Sequence, residues 1–197
     1  MIKLVMAGAV GRMGKIILQL ASRDKTFKIV GALEQRGHAA LGQDLGPVLG
    51  CDLMGVKVTS DPVAALKNAD VLIDFSHFTA LPENLKAAVK TRTAYVVGTT
   101  AIPEDMLRQI KNASRKIPIL QSPNMSVGVS LLFKLAALAG KILDESYDLE
   151  ITEVHHRMKK DAPSGTAMKL LEILLEARGR DIKKDVVYGR EGETGAR

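Results

Sequence analysis

The chain has 197 residues, 46% of them hydrophobic, which is enough to bury a core in one or two domains and excludes a disordered or low-complexity protein. A single cysteine excludes an intrachain disulfide and a Cys-rich metal site, the four histidines show no zinc-ligand spacing, and no apolar run is long enough to span a bilayer. The net charge of +6 comes with no Trp and no dense Lys/Arg tract interleaved with aromatics, so it suits small acidic ligands rather than nucleic acid.

The apolar start, Met1 to Gly8, is too short for a signal peptide and is interrupted by Arg12 and Lys15, so a soluble cytoplasmic protein is expected. Residues 2–6 read as a strand, followed at once by Gly8, Ala9, Val10, Gly11, Arg12, Met13 and Gly14, and then by a helix over 12–22 with Ile16, Ile17 and Leu20 inward. Strand, Gly-rich turn and helix form the context of a dinucleotide fingerprint, in which backbone amides reach a pyrophosphate at the helix N-terminus. The spacing is G-x-x-G-x-x-G, and an ordinary glycine turn is the alternative. A second strand over 27–33 ends at Glu34, placed to accept bonds from adenosine ribose hydroxyls; a solvent-facing Glu is the plainer reading.

Residues 37–55 are polar and Gly-rich and read as a loop, and 56–59 as a short strand. Ser60-Asp61-Pro62 starts a helix with a capping side chain and an early proline. The buried strand 71–74 leads into Phe75, Ser76 and His77, the last read as a surface histidine, and a helix spans about 82–90. Strand 95–97 runs into Gly98, Thr99 and Thr100, whose amides and hydroxyls lie where open α/β sheets bind ligands. A helix over 103–114 and a strand over 117–120 precede Ser122, Pro123, Asn124, Met125 and Ser126. Residues 127–143, apolar on most faces, predict a buried helix joining two domains, 1–127 for the dinucleotide and 128–197 for the substrate. The fold class expected is α/β, a Rossmann-type doubly wound parallel sheet with a smaller α+β domain.

Residues 147–155 read as a strand, with Leu149 and Ile151 on one face. Ala167, Leu170, Leu171, Leu174 and Leu175 then recur at helical spacing up to Gly179. Between these lies a loop with a helix start that Ser164 or Asp161 caps, leaving amides near Gly165 and Thr166 as a seat for an anion. His155 and Lys159, four apart, reach one ligand from one turn of that loop, and together hold an anion and deliver a proton. A solvated basic loop before an amphipathic helix is the alternative.

The run His155-His156-Arg157-Met158-Lys159-Lys160-Asp161-Ala162-Pro163-Ser164-Gly165-Thr166-Ala167 closely resembles the H-H-x-x-K-x-D-A-P-S-G-T-A signature of bacterial dihydrodipicolinate reductases, enzymes of lysine and diaminopimelate biosynthesis. The resemblance covers essentially every residue present. It implies that Gly8, Ala9, Val10, Gly11, Arg12, Met13 and Glu34 hold a nicotinamide cofactor, with Gly98, Thr99 and Thr100 against its ribose and Phe75 near the nicotinamide. Ser122, Pro123, Asn124 and Met125 correspond to a second cofactor loop, often A-x-N-F-S, with Met125 where Phe is usual. It further implies His155 as acid–base residue, Lys159 as proton donor, and His156, Gly165 and Thr166 as ligands of the substrate's carboxylates.

Gln35 stands where NADPH-using relatives often carry Arg, with Arg36 adjacent, so NADH is slightly favoured over NADPH. The polar tail from Gly189 lies where relatives continue into further strands of the substrate domain. A chain ending here is expected to bind dinucleotide yet reduce substrate poorly, and a homotetramer is implied for the full-length form. Another Rossmann oxidoreductase, such as a homoserine dehydrogenase relative, shares the first half's logic but does not predict the His155 to Thr166 block. A non-catalytic nucleotide-binding module needs only the Gly-rich loop and Glu34.

Overall fold

A computed structural model describes residues 1–155, 157, 159 and 161–193. Its contacts divide the chain into two compact units, Met1–Ser122 and Pro123–Arg197. In the first unit, β1 (Ile2–Ala7), β2 (Phe27–Leu33), β3 (Val58–Thr59), β4 (Val71–Asp74), β5 (Ala94–Val97) and β6 (Ile119–Gln121) form one parallel sheet in the order β3-β2-β1-β4-β5-β6. The strand order reverses between β1 and β4, and such sheets bind ligands at the carboxyl ends of the strands at that switch point. The expected Rossmann-type sheet is therefore present.

Both faces of β1 are buried, as a central parallel strand requires. Leu4 and Met6 point to one core with Leu18 and Ile29, while Val5 and Ala7 point to the other with Leu72 and Tyr95. The helix α1 (Arg12–Arg23) follows the Gly-rich turn, but it is rotated from the expected face: Gly14, Leu18 and Ala21 are buried, whereas Ile16 is 51% and Leu20 63% exposed. The rotation has a steric cause. A Cβ on Gly14 would stand 2.1 Å from the Gly8 carbonyl oxygen, so this glycine alone lets the helix lie against the turn.

The stretch 37–55, expected as a loop, contains a short helix, α2 (Leu45–Leu49), started by Asp44 and ended by Gly50 at φ 78°. Leu45 and Leu49 supply apolar contacts to the core of the β1–β2 side, which is why the helix forms within so polar a segment. Asp61 caps α3 (Pro62–Leu66) through the Val63 and Ala64 amides, as its sequence predicts. The unit is completed by α4 (Leu81–Thr91) and α5 (Glu104–Ala113).

The second unit holds α6 (Val127–Ile142), α7 (Gly165–Arg178) and a small antiparallel pair, β7 (Asp161–Ala162) with β8 (Gly192–Glu193). The two helices cross closely at Gly140, where an added Cβ would meet Ala177 Cβ at 3.0 Å. The buried helix expected over 127–143 is a helix, but it is not buried: Val127 is 85% and Ile142 70% exposed. Within its unit α6 packs chiefly on α7, so one stripe is covered and the rest of an almost uniformly apolar helix is not. The strand expected over 147–155 does not form either. Alternation alone does not make a strand; it needs a ladder partner, and no described strand pairs with this segment.

Candidate active site

Gly8 takes a φ of +73°, accessible to glycine, and a Cβ there would lie 2.6 Å from the Phe75 carbonyl oxygen. The turn is held from below by the Gly8 and Ala9 amides, both donating to the Leu33 carbonyl. The start of α1 has Gly11 as its cap residue and no side-chain cap, so its first-turn amides remain donors for an anion. Glu34, just past β2, accepts from the Val10 amide at 3.1 Å through Oε2 and from the Gln35 amide at 3.1 Å through Oε1. It thus braces the turn and keeps lone pairs for further donors. Arg36 turns to Glu83, 3.3 Å away in an exposed ion pair. A tight glycine turn, an uncapped helix start and an acid at the next strand's end fit a dinucleotide.

Phe75 joins this turn to the next loop. Its backbone abuts Gly8, while its ring covers Gly98, where a Cβ would stand 2.3 Å from the ring's Cζ. Beneath it, the carboxylate of Asp74 is fully buried and gathers several donors. Oδ1 accepts from the Ser76 amide at 2.9 Å, the Ser76 hydroxyl at 2.6 Å and the Thr99 hydroxyl at 3.1 Å. Oδ2 accepts from Asn84 Nδ2 at 2.8 Å and the Tyr95 hydroxyl at 2.6 Å. Burial first, then the charge and hydrogen bond of Asp74, push the Tyr95 hydroxyl well above its ordinary value. Thr99 therefore spends its hydroxyl inward, whereas Thr100 is exposed.

In the second unit, Ser164 is the residue that caps α7, its Oγ accepting from the Ala167 amide at 3.1 Å. Around Gly165 there is open space where a Cβ would be, so a ligand can approach the helix start. Thr166 accepts from Asn124 Nδ2 at 3.2 Å. His155 and Lys159 both line a cavity of about 1050 Å³ in this unit, with Pro163 and Met168 on its apolar wall. Glu153 links these parts: Oε1 accepts from the Ser164 amide at 2.8 Å, and Oε2 from the Ser164 hydroxyl and from His155 Nε2, the latter at 2.8 Å. Burial raises the Glu153 carboxyl, but the bonds from Ser164 and His155 outweigh it and hold it below its ordinary value.

Gly8 to Met13, Glu34 and Gly98 to Thr100 are thus collected on the carboxyl ends of one sheet. Ser122 closes the first unit, and Pro123, Asn124 and Met125 open the second. His155, Lys159, Gly165 and Thr166 belong to the second unit; His156 lies outside the described residues. His77 is exposed, as expected, and starts a turn at Phe78–Ala80. Among the described residues no group of three or more His, Cys, Asp or Glu is placed to hold a metal ion. No helix among them is long and apolar enough to cross a membrane.

Sequence reasoning missed Asp74, Tyr95 and Glu153. Asp74 was signalled by an acid ending an otherwise apolar strand at the crevice. Glu153 lies two residues before His155, a spacing that puts both on one side of an extended run.

The family model described as "Dihydrodipicolinate reductase, N-terminus" matches residues 2–125, and "Dihydrodipicolinate reductase, C-terminus" matches residues 128–196. The chain is 42% identical over 196 residues to a 4-hydroxy-tetrahydrodipicolinate reductase of Nitrosomonas europaea, covering 100% of this chain and 73% of the relative. It is 45% identical over 195 residues to the reductase of that name from Ralstonia pickettii, covering 99% and 74%. In three dimensions it is similar to the dipicolinate-bound dihydrodipicolinate reductase of Paenisporosarcina sp. TG-14, with a TM-score of 0.72 and 26% identity, covering 98% of this chain and 72% of that one.

Proposed function

The chain belongs to the dihydrodipicolinate reductase family, and from that premise we propose that it reduces 4-hydroxy-tetrahydrodipicolinate to tetrahydrodipicolinate with a nicotinamide cofactor, in lysine and diaminopimelate biosynthesis. When bound, the cofactor supplies the hydride. The protein's share is to hold it, to seat the substrate's carboxylates and to manage a proton. Gly8, Ala9, Val10, Gly11, Arg12 and Met13 receive the pyrophosphate on backbone amides, and Glu34 takes the adenosine ribose. Gly98, Thr99 and Thr100 border the nicotinamide half, with Ser122 to Met125 as the second cofactor loop.

His155 serves as acid–base residue and Lys159 as proton donor, while His156, Gly165 and Thr166 hold carboxylates. The single observation that carries the substrate reading is the start of α7. There a buried serine caps the helix, the residue after it leaves open space, and His155 and Lys159 line the same cavity. A dicarboxylate seated there meets first-turn amides on one side and proton-carrying side chains on the other.

NADH is the preferred cofactor in this reading. Glu34 puts a negative charge at the ribose, where an extra phosphate is disfavoured, and Arg36 is engaged by Glu83. The cytoplasm fits a biosynthetic enzyme with one exposed free cysteine, and a homotetramer is the assembly that the family resemblance implies for the full-length form. Oxidation of NADH and NADPH with freshly generated 4-hydroxy-tetrahydrodipicolinate tests the activity. Turnover that requires this substrate supports the reading; none with either cofactor, under conditions where a relative is active, contradicts it.

A further inference from the structure

We propose that Glu153 is a positioning residue of this site, which fixes the His155 imidazole in the tautomer protonated at Nε2 and ties that ring to the capped start of α7. The proposal rests on the reading of His155 as the acid–base residue. Two bonds carry it. His155 Nε2 lies 2.8 Å from Glu153 Oε2, and Glu153 Oε1 lies 2.8 Å from the Ser164 amide.

A carboxylate only accepts, so the nitrogen facing it is the one that carries hydrogen. In the neutral ring Nδ1 is then the nitrogen with the lone pair, and it is the atom left to take a proton. The same carboxylate receives the Ser164 hydroxyl, and Ser164 in turn receives the Ala167 amide. One side chain therefore sets the distance from the imidazole to the helix start beside Gly165 and Thr166. A ring that swings or flips relative to that seat would be out of register with any carboxylate bound there, and a misplacement of about 1 Å costs roughly a hundredfold in rate.

Serine, histidine and an acid in one cluster also invite a nucleophilic reading, which the bond pattern rejects. The single Ser164 hydroxyl proton goes to Glu153 and not to the imidazole, and its oxygen is bound to the Ala167 amide. Ser164 is 7% exposed and serves as a cap.

The plainest competing role is a strut, in which Glu153 only fastens residues 153–155 to α7. Glu153→Gln separates the two. The carboxamide oxygen still accepts from the Ser164 amide, so the strut survives. Its NH₂ group, however, then faces the imidazole and requires Nε2 to accept, which moves the ring proton to Nδ1. The experiment records nitrogen–proton correlation spectra of the full chain labelled at histidine, above the pH at which the ring is charged, with His155→Asn used to assign the signal. The parent is expected to show the Nε2-protonated form and Glu153→Gln the Nδ1-protonated form.

In turnover with 4-hydroxy-tetrahydrodipicolinate, Glu153→Gln is expected to lose roughly a hundredfold in kcat or more. The dissociation constant for NADH should stay within about twofold, since Glu153 lies outside the dinucleotide unit. The same tautomer in both proteins, or a reversed tautomer with undiminished kcat, overturns the proposal. If the parent shows no turnover at all, the activity reading fails by itself, and the tautomer comparison still decides the role of Glu153.

Discussion

Tyr95 donates its hydroxyl to Asp74 Oδ2 at 2.6 Å, and both side chains are essentially inaccessible to water. The bond joins β5 to the end of β4 and lies under the two loops, Phe75 to His77 and Gly98 to Thr100, that border the cofactor crevice. A buried carboxylate needs its lone pairs filled, and here Tyr95, Asn84, Ser76 and Thr99 fill them. The network therefore fixes the floor of the cofactor site.

Tyr95→Phe should lower stability by about 1.5–3 kcal/mol at neutral pH, the usual cost of losing a hydrogen bond to a charged group. The deficit should also depend on pH. Because the folded-state pKa of Tyr95 is raised above its ordinary value of 10.0, its contribution is complete below about pH 10 and is lost as pH rises further. The gap between parent and variant should narrow above that point, by up to about 1.4 kcal/mol per pH unit. Urea unfolding of both proteins on either side of pH 10 measures it, and a gap independent of pH would mean that Tyr95 ionises alike in both states.

Gly98→Ala should be destabilising by about 1–3 kcal/mol and should weaken cofactor binding, because the new methyl would stand 2.3 Å from the Phe75 ring. The cause can be isolated by pairing it with Phe75→Ala. If displacement of the ring is responsible, the double variant should be more stable than the two separate losses summed. Strict additivity in thermal unfolding would contradict this account.

Glu34→Ala should weaken NADH roughly tenfold to a hundredfold, the fold-change equivalent of one charge-assisted bond. NADPH should suffer less, since the same change removes repulsion against the additional phosphate. Both cofactors should lose a shared part, because Glu34 also braces the Val10 amide. Calorimetric titration of the two gives the comparison; equal losses would limit Glu34 to bracing the turn.

Much of the first unit is legible in the sequence because its signals are local. Gly8, Gly11 and Gly14 fix a turn, apolar runs fix parallel strands, and Asp61-Pro62 fixes a helix start. What was missed depends on contacts made at long range. The rotation of α1 follows from Gly14 against the Gly8 carbonyl, and α2 forms because Leu45 and Leu49 reach the core. The segment 147–155 shows the opposite failure: the alternation of Leu149 and Ile151 is present, but no described strand lies beside it.

In the site, His155 and Lys159 were readable as residue types suited to proton transfer at a helix start. The residues that orient them were not, since Glu153 acts through Ser164, 11 positions away.

The central claim is that the start of α7, with His155 and Lys159, performs the reduction, and Lys159→Ala tests it most directly. Steady-state oxidation of NADH with 4-hydroxy-tetrahydrodipicolinate should show kcat lowered by about 10²–10⁴, as expected for loss of a positioned proton donor. The dissociation constant for NADH should stay close to that of the parent, because Lys159 lies outside the dinucleotide unit. A variant that turns over as fast as an active parent would contradict the account.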